Sequence, residues 1–434
     1  MISTEVIEAL DKVVGQNIFI TTEPDILDFT DPRRPGKLIL MVKGLKFEFP
    51  LPEDKKECIE LIAGLKAEIY QKRIVTLAWN IKGFLSYVRF RTNTNWETNG
   101  PLIDLKIIEA FSGEQTECPK SYKEAAARFS TITKSAMWDR IGKIYQEIYI
   151  PLLTRVVPEI ETLGFNDTEA RYPVYPCYEL EGQVNGRMKC LKAFSHSFNP
   201  HSLDEVAKSH LRPVGYDKVF LLFDYKHMEV SVLQWLSKDP ALREILDSEG
   251  DVYKNILDRI TTIQCDDAKK RAVCKAVFLP VIYGQGSKSV AERLGISESA
   301  GERLVRGIYN NFPVAMSWIQ EQQDTFDANN FATDYFGRRR RFNEQQYKIR
   351  NFVVQAPASI ICLHKLIRLH DTLQGHAEIV FHVHDGYGIV THKSNTKVAE
   401  MAIQTLEANE SLYSGLKLKV SGSRGEALGT LNSI

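Results

Sequence analysis

The sequence has no surplus of charge of either sign: 55 Lys and Arg stand against 55 Asp and Glu over 434 residues. That excludes a protein that coats nucleic acid by bulk charge alone, although local basic patches, which phosphate contacts need, remain open. Long apolar runs are absent. Stretches such as Val219–Phe223 are far too short to span a bilayer, so no membrane partner is expected. Cys-x-x-Cys is absent as well. The seven cysteines (Cys58, Cys118, Cys177, Cys190, Cys265, Cys274, Cys362) are scattered singly, which argues against a zinc ribbon or disulfide framework and for a reducing compartment. The first residues, Met1-Ile2-Ser3-Thr4-Glu5, show neither a basic n-region nor an apolar h-region, so the expected location is the cytoplasm. There is no internal repeat and no low-complexity segment. What is present is 44% apolar and 25% charged residues, enough to bury one large core or two to three ordinary ones.

Three stretches differ in texture. Within residues 1–115, Asn17–Thr22, Leu38–Val42, Phe47–Phe49 and Ile74–Trp79 read as strands. Asp54–Tyr70 has helical spacing, with Ile59, Leu61, Ile62, Leu65 and Ile69 apolar. This alternation predicts a small α/β domain. Residues 116–170 read as helical and charged, and from about 171 the pattern is mixed α/β to the end.

Three segments carry chemistry. Val219-Phe-Leu-Leu-Phe-Asp224-Tyr225 is an apolar strand that turns acidic at its end, before helical spacing at Val230, Leu233 and Leu236. Asp224 there suits a metal ligand on a rigid element, but taken alone the segment reads rather as a helix N-cap. In Phe381-His-Val-His384-Asp385-Gly386-Tyr387-Gly388-Ile389-Val390, two β-type runs flank a turn, and Asp-Gly is typical hairpin chemistry. Taken together, the two aspartates, 161 residues apart, could hold two Mg²⁺ ions about 3.5–4 Å apart for an in-line phosphoryl transfer. Mg²⁺ prefers carboxylate oxygen and substrate phosphate to a closed protein cage. In the third segment Arg271, Lys275, Leu279 and Tyr283 lie at i, i+4, i+8 and i+12, one helix face. The rest of the segment is almost wholly apolar, so a bound anion explains this cationic row better than a solvated face does. Pro280 is awkward inside such a helix.

In this order the three segments resemble motifs A, B and C of the family A (Pol I-like) DNA polymerases. Asp224-Tyr225-Lys-His-Met-Glu229 is similar to D-Y-S-Q-I-E, Arg271-x3-Lys275-x3-Leu279-x3-Tyr283-Gly284 to R-x3-K-x3-F-x3-Y-G, and Val383-His384-Asp385-Gly386 to V-H-D-E. Gln183-Val-Asn-Gly186-Arg187 resembles T-x-T-G-R, and Phe336-Gly337-Arg338-Arg339 with Asn351-x3-Gln355 resembles the G-R-R and N-x-P-x-Q segments. The resemblance spans about 171–430. It implies an α/β right-hand fold, with palm and fingers over 171–434 (fingers about 240–335) and a short thumb over 116–170. It implies two Mg²⁺ ions, replaceable by Mn²⁺, on Asp224, Asp385 and the Tyr225 carbonyl. Lys275 and Arg271 would grip the incoming dNTP, with Leu279 and Tyr283 by the nascent base pair. Glu229 would be the steric gate against a 2′-hydroxyl. Arg187, Asn351, Gln355 and His384 would line the minor-groove side of primer–template DNA, and Arg338 and Arg339 would meet template phosphates.

Departures are Ser231 for the motif A Arg, Leu279 for Phe, Gly386 for Glu, and Tyr347 where an Arg is expected. Gly386-Tyr387-Gly388 also resembles the H-D-S-F-G of phage-type single-subunit RNA polymerases, which keeps an RNA polymerase or primer-making enzyme as an alternative. A non-catalytic DNA-binding relic is the third class. Residues 1–115 more faintly resemble a 3′–5′ exonuclease domain, through Leu77-Ala-Trp-Asn80-Ile81-Lys82 and Ile103-Asp104-Leu105. Asp104 alone could not hold two metals, so an inactive exonuclease-like (RNase H-like) domain is expected, with an unrelated α/β domain as the alternative. The short thumb implies low processivity and help from a processivity factor, helicase or other replisome protein. Compact length suggests a viral or mobile-element replicase.

Overall fold

A computed structural model describes residues 2–24, 36–96, 101–113, 116–135, 138–169, 172–183, 185–193, 196–261, 266–325, 331–342 and 348–434. Tyr347 and Cys265 lie outside these. The chain divides into two compact units. The first is Met1–Asp224 with Cys362–Leu406 and Ser421–Ile434, and the second is Tyr225–Ile361 with Glu407–Val420.

The first unit begins with a five-stranded sheet in the order Leu45–Pro50, Lys37–Val42, Asn17–Glu23, Val75–Ala78, Leu102–Asp104. The first three strands pair antiparallel and the last two join in parallel. The four strands read from sequence all form. Lys55–Gln71 is the predicted helix, capped by Asp54, whose carboxylate accepts from the Lys56 and Glu57 amides. Its inward face is Cys58, Leu61, Ile62, Leu65 and Ile69, while Ile59 turns out at 40% exposed. A free cysteine takes the place that counting aliphatic residues gives to Ile59.

Residues 116–170, expected as a thumb, hold a long helical stretch from Trp138 to Leu163 whose inward side chains are sealed. Tyr145, Ile148, Leu152, Val156 and Ile160 are at most 2% exposed. The inward face of the stretch is therefore part of the core of the first unit. Neither 115 nor 170 is a boundary between the compact units. A buried ionic group ties this stretch to the Lys82–Thr92 helix, which follows the Val75–Ala78 strand, and to the Tyr178–Glu179 strand. Glu161 accepts from Lys82 Nζ at 2.7 Å, from the Ser86 hydroxyl and from the Tyr178 amide. The Tyr178 hydroxyl in turn donates to the His382 carbonyl (3.0 Å) and accepts from the His382 amide (2.9 Å).

A second five-stranded sheet runs Glu378–Val383, Gly386–His392, Lys218–Lys226, Lys419–Gly425, Asn432–Ser433. An aromatic and aliphatic core, with Phe165, Phe198, Phe220 and Phe381 at its centre, fills one side of it.

The second unit is mainly helical: Met228–Ser237, Pro240–Asp247, Val252–Ile260, Asp267–Ile282, Ser287–Leu294, Glu298–Asn311 and Pro313–Asp324. Aspartates or a serine cap several of these: Asp239, Asp251, Asp266 and Ser297 each accept from a first-turn amide. A short hairpin, Phe331–Thr333 with Arg339–Arg341, precedes the Ile349–Leu373 helix. By length and composition that helix could cross a membrane, but its apolar window is 83% buried within the protein.

Candidate active site

Asp224 lies near the end of the Lys218–Lys226 strand, opposite Gly386 in the antiparallel register. The helix that follows starts at Met228, and its cap position is His227, so the N-cap reading of Asp224 fails. The Asp224 side chain is exposed instead. Asp385 occupies the two-residue turn His384–Asp385 between paired Val383 and Gly386, with His384 left-handed at φ 54°. The turn pair is thus His-Asp, and Gly386 is the first residue of the returning strand.

One register position therefore brings the two aspartates to the same end of the same sheet. Burial raises the thiol of Cys362 well above its usual range. The charges of Asp385 and Asp224 add to this and Arg187 opposes it, so all three side chains act on one buried atom. Burial, then Arg187, lowers His384. A Cβ on Gly386 would stand 3.5 Å from the Asp224 carboxylate and 3.2 Å from the Val383 carbonyl. The Asp224 carboxylate thus lies within van der Waals reach of the residue that follows Asp385. The turn is braced from behind: His382 Nδ1 lies 3.1 Å from the Gly386 carbonyl, and the Tyr387 hydroxyl donates to the Cys362 carbonyl.

Two carboxylates, with the carbonyl of the next residue Tyr225, suit an ion that completes its shell with water and substrate oxygen. Among the described residues no group of three or more His, Cys, Asp or Glu side chains forms a closed cage. The donor set fits Mg²⁺ or Mn²⁺ and does not suit zinc.

In the second unit the predicted row is one face of the Asp267–Ile282 helix. Arg271 and Lys275 are exposed, and Leu279 and Tyr283 half-buried. Cys274, Val277, Phe278, Val281 and Ile282 are buried opposite. Pro280 sits in the last turn. It cannot donate to the Ala276 carbonyl, and the Arg293 guanidinium donates there instead at 3.4 Å. Arg271 donates to Asp251 at 2.7 Å, and both cations lie over the Tyr253 ring, 5.8 Å for Arg271 and 5.4 Å for Lys275. Burial pushes His227, beside this row, down to about 4; Arg271, Lys226 and Lys275 push the same way and Asp251 against.

Glu229 is held on both oxygens. The Tyr283 hydroxyl donates to one at 2.5 Å and the Gln355 amide to the other at 3.0 Å. The expected gate, base-pair residue and minor-groove glutamine thus form one cluster. Asn351 lies one helical turn before Gln355. Arg187 follows a turn in which the Asn185 side chain accepts its amide.

The arginine run departs from expectation. Arg338 is 1% exposed, and its backbone is pinned by Asp334, whose carboxylate accepts the Arg338 amide. The Arg338 side chain is thus enclosed in the protein rather than displayed on the surface. Arg339 lies flat over Phe331 at 4.1 Å, and Arg341 shares the same ring at 4.5 Å.

Sequence reading did not single out His227, Tyr253 or Asp251. The Asp-x-x helix-start signature marks Asp251; nothing local marks the other two.

At the front of the chain Asp104 is fully buried and accepts from the amides of Asn80, Ile81 and Lys106. Burial pushes its carboxyl up to about 6 against these donors. That carboxylate is committed to the backbone.

Comparison with known proteins agrees with this geometry. The model of DNA polymerase family A matches residues 203–430, more than half of the chain. DNA polymerase I of Streptococcus pneumoniae is 25% identical over 213 residues, 45% of this chain and 24% of that protein. The thermostable DNA polymerase I of Thermus filiformis is 22% identical over 44% of this chain and 25% of its own length. Mouse DNA polymerase theta is 27% identical over 28% of this chain and 5% of its own. The matched stretch thus spans about a quarter of the bacterial relatives. The fold is similar to the POL domain of Pol1 from M. smegmatis, solved in complex with DNA primer-template and dNTP. The TM-score is 0.74 at 12% identity, over 99% of both chains, so the likeness in fold takes in residues 1–170 too. With motifs, register and family model in agreement, the chain belongs to DNA polymerase family A.

Proposed function

We propose that the chain is a template-directed DNA polymerase that adds dNTPs to a primer 3′ end. The observation that supports it most is the register of Asp224 opposite Gly386, which puts its carboxylate beside the turn carrying Asp385. In this reading Asp224, Asp385 and the Tyr225 carbonyl hold two Mg²⁺ ions, which supply Lewis-acid stabilisation of the attacking and leaving oxygens. Arg271 and Lys275 bind the triphosphate. Positioning and charge stabilisation then account for most of the rate. Glu229, clamped by Tyr283 and Gln355, cannot swing away, so its carboxylate bars a 2′-hydroxyl and favours deoxynucleotides. That clamp speaks against the RNA polymerase alternative.

Primer extension with Mg²⁺ tests the reading. Wild type is expected to use dNTPs. Asp385→Ala should lose on the order of 10²–10³-fold or more in rate. Glu229→Ala should gain on the order of tenfold in relative use of rNTPs. Equal use of both sugars by wild type would replace this reading with the RNA polymerase one.

A further inference from the structure

His227 borders the cationic row yet plays no part in the motif reading. It heads the Met228–Ser237 helix in a left-handed conformation, φ 56°, and its side chain caps nothing. Its ring stands edge-on to Tyr253, with centroids 5.3 Å apart, the ring that also carries Arg271 and Lys275. Nδ1 is sealed from solvent and has no hydrogen-bond partner among the described residues. A sealed N–H without an acceptor costs more than a sealed lone pair, which assigns the ring proton to Nε2. Nε2 is neither sealed nor bonded among the described residues, so Nε2–H is an open donor next to two cations. Arg271 already spends part of its charge on Asp251.

We propose that His227 is a further nucleotide-binding residue, whose Nε2–H donates to a phosphate oxygen of the incoming triphosphate alongside Arg271 and Lys275. This rests on the polymerase reading. The two cations bind the chain of phosphates by charge, and the imidazole N–H adds a directed bond that fixes which oxygen faces the row. Tyr253 is the common platform that sets the spacing of all three.

The test compares wild type, His227→Phe and His227→Gln. Phe keeps the ring contact with Tyr253 and deletes the donor, while Gln restores a donor on a different frame. In Phe, KM for dNTP and the inhibition constant of inorganic pyrophosphate should each rise on the order of tenfold, with primer–template affinity and melting temperature unchanged; Gln should recover much of the loss. An unchanged KM in Phe overturns the proposal. Equal losses in Phe and Gln with a lowered melting temperature overturn it too, since the ring would then only pack. If wild type extends no primer, the polymerase reading falls. Direct dNTP binding, followed by intrinsic fluorescence, still decides His227, and equal affinity of wild type and Phe overturns its role.

Discussion

Gly388 shows how a single residue is set by its neighbours rather than by chemistry. A Cβ there would stand 2.2–2.5 Å from the ring atoms of Phe381, its partner on the adjacent strand. The glycine that in sequence resembles a phage-type RNA polymerase signature is thus the floor under a core aromatic. Gly388→Ala should lower stability by ~1–3 kcal/mol through overpacking, measured by denaturant titration. A variant as stable as wild type would show that the ring moves freely aside. Asp224 and Asp385 were legible as a pair because sequence order and residue type both pointed to them. The burial of Arg338 was not, because a run of four arginines looks the same whether a turn folds over one of them or leaves all in water. His227 was hidden for a related reason. Its significance lies in Tyr253, 26 positions away in sequence.

Elements were legible where their pattern was local. The first four strands and the Lys55–Gln71 helix follow from alternation and 3.6-residue spacing, and the row Arg271–Tyr283 from its four-residue step. Residues 116–170 read as helical, but what covers the inward face of the 138–163 stretch was not legible, because periodicity gives a buried face without saying what lies against it. The Asp267–Ile282 helix offers a test at this scale. If the Arg293 guanidinium replaces the hydrogen bond lost to Pro280, Arg293→Ala should cost more in wild type than in Pro280→Ala, where the helix regains its own donor. A double-mutant cycle should give a coupling of about 0.5 kcal/mol. Pro280→Ala alone should change stability little, since the regained bond is offset by a freer unfolded chain. Strict additivity would mean that Arg293 and the Ala276 carbonyl are neighbours only.

For the molecule as a whole, the buried Lys82–Glu161 pair decides how the front of the chain is used. Lys82→Met strands an ionised carboxylate in the core and should cost ~3–5 kcal/mol, whereas Lys82→Met with Glu161→Gln should recover most of it. Thermal melts of the single and double variants check this; a mild single variant would mean that water reaches Glu161. The same atoms reach further. Lys82 and Ser86 fix Glu161, Glu161 fixes the Tyr178 amide, and the Tyr178 hydroxyl closes on the strand two residues before the His384–Asp385 turn. The half of the chain that carries no catalytic motif is therefore the masonry behind the carboxylate. A fragment cut to the family-matched stretch, 203–430, would keep motifs A, B and C and lose the groups that brace the His384–Asp385 turn from behind.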